Sequence, residues 1–176
     1  MNFRVFWLSL WALTACIASG GTYGAEPSDP LLEVRELASK GRIDDALRAL
    51  DGRIVVQPAD AQARFLKAVL LSDKGRNEEA IAVFHQLTVD FPELPEPYNN
   101  LAVLYSNQQR YDLALEALQN AVRNNPGYGT AHENLGDVYA TLAAQSYDRA
   151  AKLGANTAAS KRKLALLREI LGGARR

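Results

Sequence analysis

The chain has 176 residues, 48% of them apolar and 23% charged. It is long enough for one domain with a real core and too apolar to be disordered throughout. Twenty basic and twenty acidic side chains cancel, so bulk charge makes no case for nucleic acid or for an acidic substrate. The balance is local: eight basic residues and one acidic residue, Glu169, fall from position 149 onward, which leaves the preceding part at minus seven. A single cysteine, Cys16, excludes a disulfide within the chain.

The first element in chain order is an address. Arg4 and the amino terminus precede an apolar run over 5–18, and small, turn-forming residues follow. This run of fourteen residues makes about 21 Å of helix, short of the ~30 Å hydrocarbon core, so residues 1–25 are predicted to be a secretory signal rather than a membrane span. Leu13-Thr14-Ala15-Cys16 resembles a bacterial lipobox, in which a signal of 1–15 is removed and Cys16 becomes acylated. Cleavage at a small residue further on, such as Gly20, Gly24 or Ala25, is the other reading, and both stay open. The expected location is the periplasm, with lipid anchoring to the outer membrane under the lipobox reading. A globular domain is expected over 26–176.

That domain repeats itself. Pro58, Pro92 and Pro126 are 34 residues apart, as are Ala46, Ala80 and Ala114, then Gly41 and Gly75, Leu101 and Leu135, and Tyr105 and Tyr139. The period divides the chain into 27–60, 61–94, 95–128 and an incomplete 129–156. In 95–128, Tyr98, Leu101, Ala102 and Tyr105 follow helical spacing, residues 107–110 break it, and Tyr111, Ala114, Leu118 and Ala121 resume it. Each period therefore predicts two antiparallel helices. Gly41 and Gly75 stand at the hairpin turns, and Asn124-Asn125-Pro126-Gly127 ends a second helix, with asparagine and glycine suited to a left-handed cap.

The fourth segment departs from this plan. It opens with Glu133-Asn134-Leu135-Gly136 and Tyr139, but about five residues of the turn are missing. Leu135, Tyr139, Leu142, Ser146, Ala150 and Leu153 keep one stripe in phase, which predicts a single helix over 131–153. Gly154-Ala155-Asn156 ends it. Asn156 or Thr157 can then cap a last helix within 157–172, whose stripe is Leu164, Leu167, Ile170 and Leu171 and whose Lys161, Arg162, Lys163 and Arg168 lie outside that stripe. This helix is expected to pack antiparallel along the distal half of the long one, covering the end of the array.

The order of aromatic, Leu-Ala or Leu-Gly, Tyr, Ala and Pro resembles the tetratricopeptide repeat. Residues 95–128 match nearly every position. Residues 61–94 match through Ala68, Leu71, Gly75, Ala80, Phe84 and Pro92 but carry Arg64 and Lys67 where the family prefers core residues, and 27–60 match mainly through Gly41, Ile43, Ala46, Leu50 and Pro58. The resemblance implies an all-α fold, an α-α superhelix of repeats with a long fused helix and a C-terminal capping helix, and a role in binding a protein or an extended peptide segment.

By the family's register, the peptide-binding groove would include Phe65, Val69 and Asp73, then Asn99, Asn100, Val103 and Asn107, then Asn134 and Asp137. Asn100 and Asn134 fall where the family often uses asparagine to hydrogen-bond a ligand's backbone. An amide offers both donor and acceptor, so it can satisfy a peptide unit of any sequence. The same asparagines could instead tie neighbouring helices, and Phe65 could be core. The family's basic carboxylate clamp is missing, with Leu31, Leu66 and Glu96 or Asn100 in its place.

Chemistry finds little footing. The two histidines are His85 and His132, and His132-Glu133-Asn134-Leu135-Gly136 lacks the second histidine of a zinc-protease helix. His132 stands one period after Tyr98 and is read as a partly buried packing residue. No glycine-rich phosphate loop appears in the sequence. No catalytic residue, metal or cofactor is expected, and no nucleic acid. The expected function is a non-catalytic adaptor or assembly factor of the bacterial cell envelope. The alternative is a membrane-surface tether acting through an acylated Cys16 and the basic last helix. Oligomeric state leaves no mark in the sequence.

Overall fold

The computed structural model describes residues 29, 31–155 and 157–173. The segment 1–25 predicted to be a secretory signal, Cys16 within it, and Asn156 lie outside the described residues. Eight helices appear among the described residues, in the order α1 (Leu32–Ser39), α2 (Ile43–Val56), α3 (Ala61–Asp73), α4 (Asn77–Asp90), α5 (Pro95–Asn107), α6 (Tyr111–Asn124), α7 (Gly129–Lys152) and α8 (Ala158–Gly173). The chain falls into two compact units that divide within α4, between Ala80 and Ile81.

In the N-terminal unit α1 packs on α2 and α2 on α3. Leu31, Val34, Ala46, Leu47, Leu50, Ala63, Ala68 and Leu71 are buried, and Ala46, with no exposed surface, leaves room for close helix approach. Asp60 starts α3: its Oδ1 accepts a hydrogen bond from the Ala63 amide at 2.9 Å, and its Oδ2 takes Arg53 Nε from the end of α2 at 2.6 Å. Lys67 is accommodated in the same way, its ammonium 2.6 Å from Asp51 on α2. An ion pair between facing helices thus explains a charge where the repeat prefers an apolar residue.

Two turns in this unit share one geometry. Gly41 has φ 74° and Gly75 has φ 75°. The Gly41 amide donates to Ala38 and the Arg42 amide to Leu37, while Gly75 and Arg76 repeat the pattern on Ser72 and Leu71.

In the C-terminal unit α5 and α6 form a hairpin, α7 packs on both, and α8 packs on α7. Pro95 occupies the first turn of α5, where its missing N–H costs nothing. Ala102 and Ala114 are buried in the hairpin. Its turn has the bonding of the two glycine turns, yet the left-handed residue is Gln109, at φ 60°. The Asn124 amide, at the end of α6, reaches back to the Pro92 carbonyl in the loop before α5 at 2.6 Å. The left-handed cap expected after α6 is absent: Asn125 is extended, at φ −138° and ψ 93°, because a following proline excludes the helical region for the residue before it.

The fused helix is present as α7, 24 residues long and unbroken. Its buried line differs from the expected stripe. Ala131, Asn134 and Val138 are buried, whereas Tyr139 is 49% and Leu153 81% exposed and Ser146 is also exposed. The helix is rotated because its first half must place Asn134 against α5, and an asparagine does not count in an apolar stripe. His132 is exposed, not partly buried, its Nε2 lying 2.9 Å from the Pro126 carbonyl oxygen.

Gly154, at φ 87°, turns the chain, and Thr157 Oγ1 caps α8 by accepting from the Ser160 amide at 3.1 Å. α8 doubles back along α7, with Arg168 3.1 Å from Asp148 and the Lys163 ammonium 5.6 Å from the Tyr147 ring centre. Leu164, Leu167 and Leu171 are half-buried against α7 as expected. Ile170 leaves that stripe and is 62% exposed, since a helix cannot hold residues 167, 170 and 171 and also 164 on one narrow line against a single neighbour.

Candidate peptide-binding face

The groove positions inferred from the repeat register fall in both units. In the N-terminal unit they lie on α3: Phe65 is half-buried, Val69 is buried, and Asp73 is exposed at the helix end. Partial loss of hydration pushes the Asp73 carboxyl up.

In the C-terminal unit the positions converge where α5 meets α7. The Asn134 amide donates to Asn99 Oδ1 at 2.9 Å, so the tie between helices that the sequence left open is present for Asn134. Asn100 bonds within α5, its Nδ2 donating to the Glu96 carbonyl at 2.9 Å. Asn99 is 1%, Asn100 5%, Val103 2% and Asn134 5% exposed, which places all four inside the fold, whereas Asn107 is exposed and Asp137 half-buried.

Two polar atoms on this face have no partner. Asn99 Nδ2 and Ser106 Oγ are buried and make no hydrogen bond. They lie seven residues apart on α5, two helical turns along the same side. Each such orphan costs about 1 to 3 kcal/mol, so native folds keep few of them without a reason.

The same face carries negative charge without compensation. Glu96, Glu133 and Asp137 are in no ion pair among the described residues. Burial first, and the neighbouring Glu133 second, push the Asp137 carboxyl up. Burial and Glu96 push the Tyr128 phenol up to about 12. Tyr128 was not singled out by the sequence. It stands just before α7 and beyond the helical stripe, so only its proximity to Glu96 in space reveals it.

Among the described residues there is no group of three or more His, Cys, Asp or Glu able to hold a metal ion. His85 and His132 are both exposed, His132 at the foot of α7. Among the described residues no helix is long and apolar enough to cross a membrane.

Helical hairpins recurring every 34 residues, closed by left-handed turns and packed through buried alanines, define an all-α repeat protein. Profiles of the tetratricopeptide repeat match residues 31–95 and 95–128, more than half of the chain. The chain belongs to the tetratricopeptide-repeat family. It is 30% identical over 154 residues, 76% of its length, to the TPR repeat-containing protein YvcD of Bacillus subtilis (strain 168), of which it covers 29%. It is 33% identical over 85 residues to ER membrane protein complex subunit 2-A of Xenopus laevis, again covering 29% of that protein. The chain thus spans less than a third of the length of these curated relatives. Among solved structures, MamA superposes with a TM-score of 0.60 at 22% identity, over 79% of this chain and 84% of that one. The first TPR of Spaghetti (RPAP3) bound to the HSP90 peptide SRMEEVD superposes at 0.59 with 13% identity, over 63% and 88%. These structural likenesses speak to the fold.

Proposed function

We propose that this protein is a non-catalytic adaptor or assembly factor of the bacterial cell envelope that holds an extended segment of a partner polypeptide on the face where α5 meets α7. The observation that carries this reading is the accessible, uncompensated negative charge of Glu96, Glu133 and Asp137 where α5 meets α7. An extended chain laid across this face would meet the exposed Asn107 and Glu133 and the half-buried Glu96 and Asp137, whereas Asn99 and Ser106 lie beneath it. Asn100 uses one N–H within its own helix and keeps its Oδ1 for a backbone amide. Glu96, Glu133 and Asp137 make the face selective for segments carrying Lys or Arg.

Relatives support the class of ligand. One solved relative is described as bound to an HSP90 peptide and another, YrrB, as a TPR protein with an unusual peptide-binding site. An acidic tail of the HSP90 type is disfavoured here, since this face is itself acidic. The envelope setting rests on residues 1–25 and their likeness to an export signal.

The test is site-specific photo-crosslinking in living cells. A crosslinker at Asn107 or Asp137 should capture one partner, and Glu133→Lys with Asp137→Lys should abolish capture while circular dichroism stays helical. Equal capture from Glu116, exposed on α6, would overturn the assignment of the face.

A further inference from the structure

The helix α8 has two apolar rows on different sides. Leu164, Leu167 and Leu171 form the row that rests on α7. Leu166 and Ile170, one turn apart, form a second row that nothing covers, at 53% and 62% exposure. Helical spacing puts Arg162 one turn before Leu166 and Lys163 three residues before it, so two cations flank the second row. Arg162 is exposed and in no ion pair among the described residues, and Lys163 has the Tyr147 ring as its contact.

Charge in this unit is polarised along the chain. Residues 81–148 hold eight acidic and two basic side chains, whereas 149–176 hold one acidic and eight basic. We propose that the outer face of α8 is a docking surface for an anionic lipid bilayer, with Leu166 and Ile170 entering the interface and Arg162 and Lys163 at the headgroups. Shallow insertion of a few apolar side chains between basic flanks is how a helix lies on a membrane rather than across it. The acidic residues before 149 would be repelled by the same surface, which favours contact through α8.

A second copy is a poor occupant. Two α8 faces brought together would oppose their own lysines and arginines, and a row of two side chains is far below the ~800 Å² per partner of a stable interface. This inference stands apart from the peptide face, which lies on α5 and α7.

The test uses the full chain with a polarity-sensitive fluorophore attached through Ile170→Cys in a Cys16→Ser background, so the signal is local even if residues 1–25 enter the bilayer. Vesicles of phosphatidylglycerol with phosphatidylcholine should shift the emission to the blue, and vesicles of phosphatidylcholine alone should not. Each of Arg162→Gln and Lys163→Gln should weaken the partition roughly fivefold. Raising salt from about 0.1 to 1 M, which shortens the screening length from about 10 to 3 Å, should reverse the shift. A label through Glu116→Cys on α6 should stay silent. No shift at position 170, an equal shift on neutral vesicles, or a lipid-independent shift that grows with protein concentration would overturn the proposal. The last of these would point to a second copy.

Discussion

The turn between α5 and α6 holds a backbone strain that one substitution should release. Gln109 stands a period after Gly75 and two after Gly41, and all three are left-handed, at φ 60°, 75° and 74°. The bonding is also shared, since the Gln109 amide donates to Ser106 at 3.0 Å and the Arg110 amide to Tyr105 at 2.9 Å. The Cβ is therefore what distinguishes the third turn from the other two. A Cβ in the left-handed region costs about 1 to 2 kcal/mol. Glycine loses about 0.5 to 1 kcal/mol more conformational entropy on folding. Gln109→Gly should thus stabilise by about 0.5 to 1 kcal/mol, or about 1 to 4 °C in a chain of this size. Urea unfolding followed by the helical circular dichroism band reads the change. A matched control, Gln119→Gly at an exposed position inside α6, should lose a similar amount. If Gln109→Gly is neutral or destabilising while the control behaves as stated, the strain argument is wrong.

Asp137→Asn should stabilise the protein near neutral pH. The folded state raises this carboxyl, so its ionised form disfavours folding above the ordinary carboxylate range, and the advantage of Asn should shrink as pH falls through the folded pKa; thermal melts at pH 7 and about 4 compare the two. Asp60→Ala should cost about 1 to 2 kcal/mol by removing the α3 cap, and Asp60→Asn less, since it keeps the cap and loses only the charge opposite Arg53; urea midpoints decide between them. If Cys16 is acylated, Cys16→Ser should release the protein from membranes washed at about 1 M salt, which also screens any contact through α8, whereas unchanged fractionation with an intact mass starting near residue 21 or 26 would exclude the lipobox. The processed protein should lack tryptophan fluorescence, because Trp7 and Trp11 both precede residue 25, and fluorescence from the purified exported form would show that the signal is retained.

Repeats write much of themselves into the sequence. The columns of proline, alanine and glycine at 34 residues identify the hairpins because each residue type acts locally, whether by ending a helix, letting two helices approach or taking a left-handed turn. The missing turn in the fourth segment was equally legible, because a deletion within a period leaves the helical phase running on, and α7 is the result. Local rules sufficed wherever the determining contacts lie within a few residues.

What needed three dimensions is the set of facts that depend on partners far along the chain. Asn99 and Asn134 are 35 residues apart, and their hydrogen bond rotates α7 so that Asn134 faces inward and Tyr139 outward, against the apolar stripe. Lys67 has a place in the packing only because Asp51 faces it across α2 and α3. The unpartnered Asn99 Nδ2 and Ser106 Oγ, the charge that Glu96 places beside Tyr128, and the bare row of Leu166 and Ile170 have no sequence signature, because burial and the lack of a neighbour are properties of packing. A helix's period states which residues share a side; the rotation it adopts against its neighbours decides which of those sides is covered.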